Sequence, residues 1–434
     1  MRGEAMPITR LDETRPQRRP RVIYVTHMSP WLPRYGIAMR CEGILRGLAE
    51  IADVHVVLAA DDPDTIAAFR GFPAGIHGIR RSVLEPSGGL QPVPDYRASR
   101  SLAAIVGPGK YGADLASLCR QEAPDLLWYF EAESLHRALP PHRTTVVLDL
   151  CDVRWRKQRR LSLQCSGIRR AASYAKAVLM RIDDVALALG VDRALVCSPE
   201  ELGPVWPAAN VQVLPNGYDF PSELVLRHRA GRRLLFYGSL LYGPNADAVR
   251  WFCSTVWPTL EAACPDVELD VIGLGGEQLR EGLASDRIRF HGFVENLDPY
   301  IDSASALIVP LRLGGGTRVK ILEAWAKGLP VITTTTGCEG LGARDEEHVL
   351  IADDAQGFAH QCLRVLDDNA LRDSLASSAH AFGRSQYGWD VIHRQIADLV
   401  AAHQAGDGTG VDRTSGGEAG RPHAGARGPG PGGE

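Results

Sequence analysis

Gly314-Gly315-Gly316-Thr317-Arg318-Val319-Lys320-Ile321-Leu322-Glu323-Ala324 stands where an apolar run gives way to helical spacing. The run before it, Ala306-Leu307-Ile308-Val309-Pro310, has the length and continuous apolar character of a buried strand. Val319, Leu322 and Ala326 after it recur at the helix period. The glycines therefore mark a strand-to-helix turn, where backbone N–H groups and the positive end of the helix dipole suit an anion. Arg318 and Lys320 fall in the first turn expected for that helix. Cations at that end oppose the dipole. A bound diphosphate would account for them; a simple solvated pair is the alternative.

Working outward, apolar strands alternate with amphipathic helices along most of the chain. The first half holds expected strands at Arg21–Thr26, Val54–Leu58, Leu126–Tyr129, Thr145–Asp149 and Ala194–Cys197, with a helix over Ala38–Ile51. A second series begins at Arg233–Tyr237 and continues through Glu268–Ile272, Ile288–Phe290, Leu307–Val309 and Pro330–Thr333. Strands alternating with helices imply parallel sheets covered on both faces. The expected fold class is therefore α/β, with two Rossmann-like domains facing across a cleft. The first domain is expected over 21–222 and the second over 230–386, with a helix at 387–403 returning to the first. Residues 1–20 read as a disordered lead, and 404–434 as a disordered tail rich in Gly and Pro. Ligands of open α/β sheets sit beyond the carboxyl ends of the strands, which places the site in the cleft.

At 434 residues the chain suits two domains, and its 45% hydrophobic and 23% charged content is that of a globular protein. A net charge of −4 gives no reason to expect nucleic acid as partner. Nine cysteines form no C-x-x-C pair, so neither a zinc site nor a disulfide framework is expected, and no metal or cofactor is assigned. The N-terminus has no apolar core of signal-peptide type, and no stretch approaches the ~20 apolar residues that span a bilayer. The expected location is cytoplasmic, with peripheral membrane contact at most.

Four strand ends of the second series carry glycine or small residues: Gly238-Ser239, Gly273-Leu274-Gly275-Gly276, Gly292 and the opening segment. Together they suggest backbone left clear for a ligand. Asn245, after Gly243-Pro244, reads as the N-cap of the next helix.

On these residues the chain resembles glycosyltransferases of the GT-B fold, specifically the retaining, family-4-like bacterial "group 1" type. The resemblance runs from about Arg21 to Trp389. It rests on Gly238-Ser239-Leu240 with Pro244-Asn245, on His291-Gly292-Phe293-Val294, and on Gly314–Ala324 with Gly328-Leu329-Pro330-Val331-Ile332. Val213-Leu214-Pro215-Asn216-Gly217 and Ser29-Pro30-Trp31-Leu32-Pro33-Arg34-Tyr35-Gly36 match the family's link and first-loop motifs.

The resemblance implies a nucleoside-diphosphate sugar as co-substrate and a glycan, lipid-linked or small-molecule acceptor. It implies that Glu323 receives the ribose hydroxyls and that Phe293 and Val294 receive the base. Gly36 would approach the donor phosphates from the first domain, with Gly238, Ser239, Gly315, Gly316 and Thr317 lining the donor site. Two departures stand out. Many members place a Glu eight positions before the Glu323 equivalent, where this chain has Gly315, and many carry Arg and Lys on the loop that is here Leu240–Pro244. Arg318 and Lys320 are then the candidates for the cationic duty. No metal is required by this scheme.

Other candidates lie in the first half. Asp149 and Asp152 end a strand on the cleft side; Asp152 is read either as orienting the acceptor hydroxyl or as a helix cap. His27, after the first strand, faces the donor sugar or is a loop histidine. A stretch over 154–181 carries nine cations interleaved with apolar residues and no acid, which suits either an anionic lipid surface or a solvated helix face. A non-catalytic GT-B-like subunit and a nucleotide-sugar epimerase are the alternative functions.

Overall fold

A computed structural model describes residues 18–31, 36–71, 79–86, 110–141, 144–151, 153–163, 165–203, 210–226, 231–280, 285–314 and 318–406. Asp152, Gly315, Gly316 and Thr317 lie outside the described residues, as do 1–17 and 407–434.

The first sheet is built from β1 (Arg21–Thr26), β2 (Asp53–Leu58), β3 (Ile79–Val83), β4 (Leu126–Phe130), β5 (Thr145–Cys151), β6 (Arg193–Val196) and β7 (Val211–Val213). Its helices are α1 (Gly36–Ile51), α2 (Pro63–Arg70), α3 (Gly112–Glu122), α4 (Glu131–Arg137), α5 (Arg154–Leu163) and α6 (Gly167–Gly190). The second sheet uses β8 (Arg233–Tyr237), β9 (Glu268–Ile272), β10 (Ile288–Gly292), β11 (Ala306–Val309), β12 (Val331–Thr333) and β13 (Leu350–Ile351). With it go α7 (Gly243–Trp251), α8 (Trp257–Ala263), α9 (Glu277–Arg280), α10 (Asp298–Ser303) and α11 (Val319–Ala326). Three more helices follow: α12 (Ala355–Asp367), α13 (Asn369–Tyr387) and α14 (Trp389–Gly406).

Both sheets are parallel, in the orders β3-β2-β1-β4-β5-β6-β7 and β10-β9-β8-β11-β12-β13. The direction of winding reverses between β1 and β4 in one sheet and between β8 and β11 in the other. At such switch points the loops leave a crevice beyond the strand ends. Central strands read as unbroken apolar runs because both faces are covered: Val22 to Val25 and Leu126 to Phe130 are buried throughout. Three edge strands escape the sequence reading. Edge strand β3 exposes Arg80 and Arg81, β7 has three residues and β13 two. Charged or brief edge strands lack the apolar run that marks central ones.

The chain parts into two compact units, Met1–Ala397 and Asp398–Glu434. The first holds both sheets; the described part of the second is the end of α14. Within the first unit the halves are tied by polar and aromatic anchors. Arg40 of α1 grips Asp149 of β5 with two nitrogens at 2.8 and 2.9 Å, and donates to Leu214 O and Asn216 Oδ1, each at 2.9 Å. Trp389 and His393, at the start of α14, lie on α1, where His393 Nε2 is 3.0 Å from Gly43 O. All nine cysteines are free.

Candidate functional site

The turn after β11 delivers Arg318 and Lys320 to the switch point of the second sheet. Arg318 stands just before α11 as its N-cap residue, 8% exposed. Lys320 follows in the first turn and points its ammonium inward. Its Nζ lies 4.6 Å from the Phe236 ring centroid and 3.2 Å from Asn245 Oδ1. Burial, with the Arg318 charge adding to it, pushes this amine down to about 7. Neither desolvation nor a like charge favours a cation, so the arrangement suits an anion that would restore its proton.

Asn245 is not the helix cap that its sequence position suggests. Helix α7 begins two residues earlier, and Tyr242 stands at the cap position. Asn245 is buried inside the helix and bridges Lys320 and Ser239 O, the latter at 2.9 Å. Its side chain holds a lysine and a loop instead of the helix end.

The four glycine-bearing strand ends differ in what they clear. Gly238 (φ 143°) leaves room for the protein itself: a Cβ there would come within 2.9 Å of both Asn245 Nδ2 and Lys320 Nζ. Gly273 (φ 151°) allows the loops after β8 and β9 to touch, since its Cβ would meet Gly238 O at 2.0 Å. The N–H groups of Gly238, Leu240 and Gly273 are already bonded to Ile272 O, Leu274 O and Gly292 O. Gly292 alone of these has no atom within 4 Å of its missing Cβ. The space beside Gly292 (φ 66°) is open, whereas Gly238 and Gly273 serve the close packing that seats Lys320.

Beside Gly292, Phe293 is 63% exposed, and Val294 packs against the core. Glu323, one turn beyond Lys320, is one-fifth exposed and pairs with Lys327 at 3.5 Å. Its carboxylate also lies near the hydroxyls of Tyr218 and Tyr237. Burial raises the pKa of both tyrosines, and the Glu323 charge adds to the shift.

The first sheet brings its own candidates to the opposing switch point. Gly36 opens α1 and sits against α11, its missing Cβ only 3.3 Å from Val319 Cγ2. The amino ends of two helices therefore meet beside Arg318 and Lys320. His27 Nδ1 is 3.0 Å from Ser134 Oγ, and its Nε2 is 3.5 Å from Glu131. Burial lowers the imidazole pKa, with the nearby Glu133 charge opposing the shift. Asp149 is fully buried in the Arg40 pair, which makes it a structural carboxylate.

Three residues were missed as site candidates. Arg156 and Arg160 of α5 both reach Glu339, at 2.9 and 2.7 Å, and Arg160 also donates to Gly314 O. The basic stretch is therefore two helices, of which α5 borders the glycine turn through Gly314. Glu131 occupies a positive φ of 60° where β4 hands over to α4, beside His27. Backbone strain of this kind concentrates at functional sites. A carboxylate directly after a buried apolar strand, at the end facing the cleft, was the available signal.

Residues 231–368 match the family model described as Glycosyl transferases group 1. The chain is 31% identical over 149 residues to the lipopolysaccharide core biosynthesis glycosyltransferase LpsE of Rhizobium meliloti, covering 32% of this chain and 44% of that protein. The chain spans about half the length of the curated relatives it matches. Among solved structures, sucrose-phosphate synthase from Thermosynechococcus elongatus superposes with a TM-score of 0.64 at 18% identity, over 90% of this chain and all of that one. Anabaena HepE, solved with UDP-glucose, gives 0.58 at 15% identity, over 88% and 100%. These superpositions identify the architecture as the GT-B fold.

Proposed function

We propose that the protein transfers a sugar from a nucleoside-diphosphate donor to an acceptor hydroxyl in glycan, glycolipid or glycoside biosynthesis. One observation carries the reading. Lys320, with no carboxylate partner among the described residues, stands with Arg318 at the start of α11, where the amino end of α1 also arrives. Two cations and the amino ends of two helices then gather in one neighbourhood, which suits a diphosphate. The family match over 231–368 covers this helix, the likeness to LpsE supports glycosyl transfer, and HepE, solved with UDP-glucose, supports a nucleotide-sugar donor.

In the proposed reaction the bond from the sugar to the diphosphate breaks through an oxocarbenium-like transition state. Negative charge grows on the leaving diphosphate, so Arg318 and Lys320 stabilise the transition state more than the ground state. Two positive charges provide this without a divalent ion. Glu323 is assigned to the ribose hydroxyls, the exposed Phe293 ring and Val294 to the base, and Gly36, Gly238, Ser239 and 315–317 to the donor's surroundings. His27, with Glu131, faces the sugar or the acceptor, and Asp152 keeps its assignment to the acceptor hydroxyl. Retention of configuration is proposed on family likeness.

The test is calorimetry with nucleoside diphosphates, followed by assay of diphosphate release with and without acceptors. Release that depends on an acceptor supports transfer. Isomerised donor without acceptor identifies an epimerase, and no nucleotide binding at all identifies a non-catalytic subunit.

A further inference from the structure

Helix α6 turns one side to the protein and leaves the other bare. Ala177, Asp184, Leu187 and Ala188 are buried. On the opposite side Ile168, Leu179, Ile182 and Leu189 stand 89, 62, 51 and 46% exposed. Helical geometry lines these four up along one stripe, with Ala175 and Ala186 between them. The stripe is flanked by exposed cations, Arg169 and Lys176 on one side and Arg170 and Arg181 on the other.

The charge on this face is of one sign. No acid occurs from 154 to 182. Asp183 and Asp184 turn inward and are held by Arg154, at 2.6 Å for Asp183 Oδ2 and 2.7 Å for Asp184 Oδ1. Arg169, Arg170 and Lys176 form no ion pair among the described residues. Arg181 lies over the Trp155 ring, 5.2 Å from its centroid.

We propose that this face of α6 lies in the plane of an anionic lipid surface, its apolar stripe at the acyl boundary and its cations among the headgroups. A bare apolar stripe between two rows of cations is the pattern of an interfacial helix. No described helix is long and apolar enough to cross a membrane, and the contact proposed here lies along the surface. A second copy of the chain fits the face less well, because it would set cations against cations with no exposed acid in 154–182 to answer them. Helix α5, packed beside α6, touches Glu339 and Gly314 O, so docking holds the glycine turn close to the lipid.

Co-sedimentation of the full chain with vesicles tests this. Binding is expected to an equimolar mixture of phosphatidylglycerol and phosphatidylcholine. It should be at least about tenfold weaker to phosphatidylcholine alone, and to fall with salt. Leu179→Ser/Ile182→Ser and Arg169→Glu/Arg170→Glu should each weaken anionic-vesicle binding by at least about tenfold. All four side chains are exposed, so the thermal midpoint should hold and exclude misfolding. Wild-type binding by both variants, or no binding by the wild type, overturns the proposal. So does a dimer in sedimentation velocity that Leu179→Ser/Ile182→Ser dissociates in a chain that ignores vesicles; that result assigns the face to a second copy.

Discussion

Lys320 donates to Asn245 Oδ1 at 3.2 Å and makes no ion pair with a carboxylate among the described residues. A neutral amide fixes its position but does little to hold its charge. Burial, followed by the Arg318 charge, brings the amine to about 7, whereas an unfolded chain keeps that proton to about 10.4. Between these values the unfolded state binds more protons, so the contribution of Lys320 to stability rises with pH across that window and is least favourable below it.

Ligand binding should run the other way. A diphosphate prefers the protonated amine, which the free protein loses above about pH 7. Its dissociation constant should therefore rise by up to about tenfold per pH unit from about 7 towards 9. Lys320→Met should bind weakly and without this slope. Calorimetry in buffers of different ionisation enthalpy should register proton uptake above pH 7; a flat wild-type profile refutes the role given to Lys320.

Arg318→Ala should lower turnover by about 10- to 100-fold, since one charge-assisted contact to the leaving group contributes about 1.5–3 kcal/mol. Turnover at saturating donor, with near-UV circular dichroism as the check on folding, measures it. Wild-type turnover in a folded variant removes Arg318 from the chemistry.

Much of this architecture is legible in the chain because central parallel strands are buried on both faces. Val22–Val25 and Leu307–Val309 are marked by composition alone. Gly238 is the instructive exception. The glycine is plain in the sequence, but its purpose depends on Lys320, 82 positions away, occupying the space. Arg156 and Arg160 are hidden for a similar reason. Within a stretch of nine cations nothing local separates those that meet Glu339 from those on the bare side of α6. Long-range pairing decides their duties, and periodicity does not report it.

Gly217→Ala should destabilise the protein. Its Cβ would lie 2.3 Å from Trp389 Cε3, and the far edge of the same indole fills the space beside Gly43, 2.0 Å from where that Cβ would be. The ring is held in a slot made by two missing side chains and has little room to retreat. Overpacking of this kind costs about 1–3 kcal/mol in urea unfolding. Gly190→Ala, with nothing within 4 Å of the new atom, is the control and should stay within about 0.5 kcal/mol.

The Arg40–Asp149 pair offers a sharper contrast, between a carboxylate that does chemistry and one that holds the fold. Burial disfavours the Arg40 charge, yet Asp149 raises its pKa and keeps it ionised. The same guanidinium donates to Leu214 O and Asn216 Oδ1 in the segment leading to the second half. Removing either charge leaves the other buried and uncompensated, which costs about 3–5 kcal/mol. Arg40→Met and Asp149→Asn should each lose about that much in urea unfolding. The double variant Arg40→Met/Asp149→Leu should lose less than the sum, because no charge is then stranded. Were Asp149 instead the base for the acceptor, Asp149→Asn would abolish turnover and leave the unfolding midpoint in place. Full exclusion from solvent and the two-nitrogen grip of Arg40 argue for the first outcome.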